Sequence, residues 1–163
     1  MGKVFRKRPS FLSVEFVLRI VIQRVSEADV RVKEKIVGKI GPGLVLLVCF
    51  EKADRPEIIE KASQKILKIR CFEDPETGKM NRGILDLEKG QILAISQFTL
   101  SWRGEKGNRP GFDQSMPPAP AEDLFESFCL KLSEKVHVEK GVFGEFMEVS
   151  IQNHGPVTFC LDF

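Results

Sequence analysis

Apolar and polar residues alternate along Leu18–Val25 (LRIVIQRV), with β-branched side chains at many of the apolar positions, the pattern of a half-buried strand. Asp29–Lys33 and Ile36–Ile40 continue in the same style on either side of a short charged turn, which predicts a hairpin. After the turn residues Gly41-Pro42-Gly43, Leu44–Phe50 is nearly all apolar and predicts a strand buried on both faces. The period then changes. Ile58, Ala62, Ile66 and Ile69 recur at helical spacing, while Lys61, Lys65 and Lys68 face outward. Asp54 and Glu57 have the spacing of a capping box, with Pro56 in the first turn, so the helix is expected to start there.

Strand character returns near Arg70–Glu73, turns over Asp74–Gly78 and comes back. Gln91–Leu100 (QILAISQFTL) predicts another buried strand that runs into polar residues. Ser101–Pro120 then holds Gly104, Gly107, Pro110, Gly111, Pro117, Pro118 and Pro120. A connection this long and irregular is usually functional. Leu124, Phe125, Phe128 and Leu132 define one face of a second helix, and Val136–Glu139, Phe146–Gln152 and Val157–Leu161 are closing strand candidates. With no repeat or linker, the order of elements predicts a single α+β domain with a mostly antiparallel β core and two helices.

A chain of 163 residues can bury a sizeable core, and 42% hydrophobic with 29% charged residues is an ordinary globular composition. The charge changes the picture more. With 25 basic against 23 acidic residues the net charge is only +2, so no whole-molecule field points to nucleic acid. An RNA partner would be met by a local patch or by the shape of an RNA end. No DNA partner is expected. Cys49, Cys71, Cys129 and Cys160 stand far apart without a C-x-x-C pair and read as buried reduced thiols, which suits a cytoplasmic protein. His137 and His154 lack metal-ligand spacing, so no metal or other cofactor is expected. Residues 1–17 read as an N-terminal extension outside the domain, with 18–163 as the domain proper. A misassigned start codon or a disordered extension is favoured over a basic arm on RNA. Glu15 and Arg19 interrupt the apolar stretch, so it cannot span a membrane.

Candidate chemistry is sparse. No G-x-S-x-G elbow, Walker loop or dinucleotide fingerprint occurs. Ser96-Gln97-Phe98-Thr99 puts polar side chains at the end of a hydrophobic strand, and Asn153-His154-Gly155-Pro156-Val157-Thr158 puts Gly-Pro between two strand runs. Strand interiors avoid proline, so Gly155-Pro156 marks either a simple turn, the favoured reading, or a specially held backbone with a cis bond.

These segments carry a resemblance. Leu18-Arg19-Ile20-Val21-Ile22-Gln23-Arg24-Val25, Gly38-Lys39-Ile40-Gly41-Pro42-Gly43-Leu44, Lys79-Met80-Asn81, Ser96-Gln97-Phe98-Thr99-Leu100, Gly141-Val142-Phe143-Gly144 and Asn153-His154-Gly155-Pro156-Val157-Thr158 occur in order from Leu18 to the C-terminus. Together they resemble the D-aminoacyl-tRNA deacylase family. The resemblance implies that family's barrel-like fold and a homodimer with active sites at the subunit interface. It further implies hydrolysis of the ester joining a D-amino acid to tRNA, with the acceptor end of aminoacyl-tRNA as partner. Ser96, Gln97, Phe98 and Thr99 would line one wall. Gly155 and Pro156 of the partner subunit, held cis, would project carbonyl oxygens into the site as a chiral gate, and Arg24 would help to hold them. An L side chain would collide with those carbonyls, while glycine offers nothing to exclude. The N–H groups of Phe98 and Thr99 are the candidate oxyanion donors, with Thr99 as nucleophile the competing role. Phe143, Gly144 and Met147 would shape an adenosine pocket, plain core packing being the alternative for Phe143 and Met147.

The chain departs from the family's pattern at Gly83, Gly111, Glu145 and Trp102. Rival readings are a sister deacylase with a trans Gly-Pro acting on mischarged L-alanyl-tRNA, and a non-catalytic module that binds the tRNA acceptor end.

Overall fold

The computed structural model describes residues 18–104 and 107–163, so the extension read over 1–17 lies outside the described residues. β1 (Arg19–Val32) is the hub of the sheet. Its first half pairs antiparallel with β3 (Gly43–Cys49), and its second half with β2 (Lys35–Ile40). The turn between β1 and β2 places Lys33 and Glu34 at positive φ, 48° and 67°. That is the primed-turn geometry usually served by Asn-Gly. β3 continues into the parallel neighbour β6 (Gln91–Ser96), and β6 into the parallel β7 (His137–Lys140). The sheet is thus antiparallel around β1 and parallel around β6. It curls into a near-closed barrel, with β2 lying against β6 and β7.

Several elements differ from the sequence expectation. Leu18–Val25 and Asp29–Lys33 form one strand, because β8 (Glu148–Asp162) pairs along nearly all of β1 and absorbs the break as register shifts around Val25. The two last strand candidates likewise merge into β8, with Gly155-Pro156 inside it, so the simple turn is overturned and the bond is cis. α1 spans Ile58–Lys68 without a side-chain cap. Asp54 does not cap it, because its Oδ2 accepts the Glu51 N–H at 2.7 Å, upstream of the helix. Beyond α1, β4 (Phe72–Glu73) and β5 (Met80–Arg82) form a small separate hairpin. At the departure Gly83, the backbone N–H donates to Asp86 Oδ2 at 2.7 Å.

β3 shows why the core is double. Leu44, Leu46 and Val48 join α1 and α2 (Pro118–Ser133) in one apolar cluster with Ile66, Phe125 and Phe128. Val45, on the other face, packs inside the barrel with Val25, Val30, Leu93 and Ile95. Each such buried side chain contributes about 1.5–3 kcal/mol. Cys49, Cys71 and Cys129 are buried free thiols, but Cys160 is exposed, since it falls on the outward face of β8. No helix among the described residues is long and apolar enough to cross a membrane.

Candidate functional site

Because β3 and β6 run parallel, their C-terminal ends open side by side. There a cavity of about 420 Å³ is walled by Val48, Cys49 and Phe50 from β3 and its extension, and by Ser96, Gln97 and Phe98 beyond β6. Phe143 and Gly144 close it from another side, and α2 contributes Ala121 and Phe125. The remaining wall is the long loop, through Phe112, Ser115, Met116 and Pro117. Backbone bonds hold that loop in place: Met116 N–H donates to Phe50 O at 3.1 Å, and Lys52 N–H to Gln114 O at 3.0 Å. Arg103, at the loop's start, pairs with buried Glu51 at 2.6 Å. Burial pushes the Glu51 carboxyl up, and Arg103 opposes that.

The predicted strand Gln91–Leu100 stops at Ser96. Gln97 N–H still donates to Val48 O at 2.7 Å, and the chain then tightens into a 3-10 turn over Phe98–Ser101. The first bond of that turn runs from Leu100 N–H to Gln97 O at 3.2 Å. The N–H groups of Phe98 and Thr99 precede it and have no acceptor within the turn. Their carbonyl side is fixed instead. Ser101 Oγ donates to Phe98 O at 2.8 Å, and Trp102 N–H donates to Thr99 O at 3.2 Å. Phe98 is 58% exposed and meets Phe112 edge to face at 5.1 Å.

Thr99 Oγ1 accepts from Gln97 Nε2 at 2.5 Å. An amide N–H is a donor and cannot take the hydroxyl proton, so this contact does not activate a nucleophile. Thr99→Ala is therefore expected to keep the ester hydrolysis that the resemblance implies within about tenfold of the parent, whereas loss of a covalent nucleophile costs roughly 10⁴-fold or more. Single-turnover rates of the two proteins decide between these outcomes. Cys49 is no better a nucleophile, since burial pushes its thiol up to about 11 and it stays protonated at neutral pH.

Arg24 and Gly155-Pro156 lie elsewhere. The Arg24 guanidinium is 1% exposed and spends its donors on three backbone carbonyls. Nε reaches His154 O at 2.8 Å, Nη2 reaches Gly155 O at 2.8 Å, and Nη1 reaches Cys71 O at 2.6 Å. Gly155 and Pro156 themselves are exposed. Neither lines the cavity of its own chain. Met147 packs against the barrel cluster and also lies outside that lining.

The fold thus brings Ser96, Gln97, Phe98, Phe143 and Gly144 together and leaves Arg24, Gly155, Pro156 and Met147 apart. Sequence reasoning missed Cys49, Phe50 and Phe125, whose apolar patterns signal only burial. It flagged the long loop by length, but nothing singled out Phe112 or Met116. No group of three or more His, Cys, Asp or Glu among the described residues is arranged to hold a metal ion.

Comparison with known proteins fits this geometry. The family model described as D-Tyr-tRNA(Tyr) deacylase matches residues 21–162. The chain is 50% identical over 145 residues to the D-aminoacyl-tRNA deacylase of Kosmotoga olearia, covering 89% of this chain and 97% of that one. It is 46% identical over 146 residues to the D-aminoacyl-tRNA deacylase of Lactobacillus helveticus, covering 89% and 99%. Among solved structures it is similar to a c-Myc DNA Unwinding Element Binding Protein, with TM-score 0.82, 36% identity and coverage of 88% and 97%. A probable eukaryotic D-amino acid tRNA deacylase shares the fold at TM-score 0.77 and 19% identity, covering 90% and 100%. With a family model spanning nearly the whole described domain and relatives of this identity, the chain belongs to the D-Tyr-tRNA(Tyr) deacylase family of enzymes.

Proposed function

We propose that this protein hydrolyses the ester bond of D-aminoacyl-tRNA, releasing the D-amino acid and free tRNA, as chiral proofreading in translation. The observation that carries the assignment is the Arg24 clamp: a buried guanidinium holds the carbonyls of His154 and Gly155 at 2.8 Å each, beside the exposed Gly155-Pro156. Gly155 and Pro156 are exposed and do not line their own chain's cavity, which supports a homodimer in which each protomer's Gly-Pro faces its partner's site. There the carbonyl oxygens of Gly155 and Pro156 exclude an L side chain and admit a D one. Glycyl-tRNA, with no side chain to exclude, is an additional substrate.

The ester is already activated, so the protein needs mainly to position water and stabilise charge. Water adds to the ester carbonyl, and the developing oxyanion is received by the N–H groups of Phe98 and Thr99. The bond to the ribose oxygen then breaks, and that oxygen takes the proton. The 2′-hydroxyl of the terminal adenosine assists, and Phe143 and Gly144 shape the pocket for that adenosine. The protein works in the cytoplasm, a compartment that suits its free cysteines.

Release of labelled tyrosine from D-tyrosyl-tRNA and L-tyrosyl-tRNA, measured side by side with EDTA present, tests the assignment. The D ester is expected to disappear at least about a hundredfold faster than the L ester, a margin of ~2.7 kcal/mol. Equal loss of both removes the chiral gate. Loss of neither, with tight tRNA binding retained, leaves the non-catalytic binding module.

A further inference from the structure

Along α1, Lys61, Lys65 and Lys68 stand on one exposed face at helical spacing, a stripe about 10 Å long. They border a groove of about 530 Å³ between the helix and the end of β8, with Gln64, Leu161 and Asp162. Elsewhere cations near carboxylates are engaged: Lys131 with Glu60 and Glu134, Lys140 with Glu126, and Arg103 with Glu51. No carboxylate of the described residues forms an ion pair with Lys61, Lys65 or Lys68. Asp162, the one acidic side chain in the groove, is neutralised by Arg19, whose Nε and Nη2 donate to its two oxygens at 2.6 and 2.8 Å, and the main-chain carboxylate of Phe163 is outweighed by the three lysines. The groove is therefore cationic although the whole chain is nearly neutral.

Its place in the sheet relates it to the cavity. Arg19 pairs with Cys49 on one side and with Asp162 on the other, so cavity wall and groove lie across adjacent strands. With neighbouring strands about 4.8 Å apart, Cys49 at the cavity wall and Asp162 at the groove's edge are separated by about 10 Å at the backbone. Arg19 Nη1 also donates to Leu100 O at 3.2 Å, which ties the groove edge to the turn carrying the Phe98 and Thr99 N–H groups.

We propose that Lys61, Lys65 and Lys68 hold the RNA phosphates next to the ester-bearing nucleotide, a contact that rests on the deacylase assignment above. Lysine serves here as a point charge for a backbone, which suits an enzyme that must accept many tRNA sequences. The test is the triple variant Lys61→Gln, Lys65→Gln, Lys68→Gln, whose helix propensities match the parent. It is compared with the parent on D-tyrosyl-tRNA and on D-tyrosyl-adenosine, an ester with no phosphate. On tRNA, kcat/KM is expected to fall about tenfold or more at low salt, with the log–log salt slope flattened by about 2. On D-tyrosyl-adenosine the two proteins should be equal. An unchanged kcat/KM and salt slope on tRNA overturns the contact, and so does an equal loss on both substrates. A parent that cleaves neither D ester instead removes the deacylase assignment, and this contact with it.

Discussion

Replacing Arg24 by methionine is expected to lower the unfolding free energy by about 3 kcal/mol, since hydrogen bonds from a charged donor contribute about 1.5–3 kcal/mol each and a buried unpaired carbonyl is costly. The Cys71 carbonyl loses its donor in the interior, while the carbonyls of His154 and Gly155 lose the group that aligns them. Glu73, 3.8 Å away and largely exposed, keeps its hydration and adds little to the loss. Urea midpoints at equal slope measure the effect. At a temperature where the variant is folded, kcat/KM on D-tyrosyl-tRNA should also fall, by about tenfold or more, a difference of ~1.4 kcal/mol in transition-state stabilisation. Gly155→Ala separates fold from gate. A Cβ there meets nothing within 4 Å, and φ lies outside the left-handed range, so stability should move by no more than about 0.5 kcal/mol. Damage to activity in that variant must then come from the surface offered to the partner, not from a deformed backbone. Full activity with full discrimination between D and L esters would rule out a cross-subunit gate.

Gly43→Ala is expected to be the most disruptive single substitution considered, with a loss of about 4 kcal/mol or more. A Cβ on Gly43 would lie 1.9 Å from the Gln91 carbonyl oxygen and 2.8 Å from its carbon. Both are backbone atoms at the first rung of the parallel β3–β6 pair, so no side chain can swing away. The strands must part where the sheet changes from antiparallel to parallel, and the cavity walls they carry would shift with them. Gly41→Ala is the control, because its Cβ would meet only Gln91 Oε1 at 3.6 Å, an ordinary contact. Thermal unfolding of the two variants should differ widely. Similar midpoints would mean that β3 and β6 are not held this closely.

The same glycine shows how far local pattern carries. Gly43 was legible as the end of a turn, but its close approach to Gln91 depends on a strand far along the chain. Alternation in Leu18–Val25, the apolar run Leu44–Phe50 and the helical spacing of Leu124, Phe125, Phe128 and Leu132 all determine a buried face from residues close in sequence. Those elements could be read directly. Lys33 and Glu34 gave no turn signal of the Asn-Gly kind, yet the charged break between two strands was enough to place the hairpin. The resemblance carried by Ser96-Gln97-Phe98-Thr99 and Gly155-Pro156 reached the family, and no periodicity could have done so.

Other features were decided only in three dimensions. Asp54 has the form of a cap, but the Glu51 N–H takes its carboxylate. The strand through Ser96 ends early because, after a last bond from Gln97 N–H to Val48 O, the chain tightens into the 3-10 turn over Phe98–Ser101. Cys160 stands in an apolar run yet faces outward. Gly155-Pro156 is held inside β8 by a guanidinium 131 residues away in sequence. The physical reason is common to the polar groups among these. Periodicity records which face of an element is buried, but polar groups at element ends are satisfied by whichever donor or acceptor folding brings near, and that partner is set by the tertiary structure.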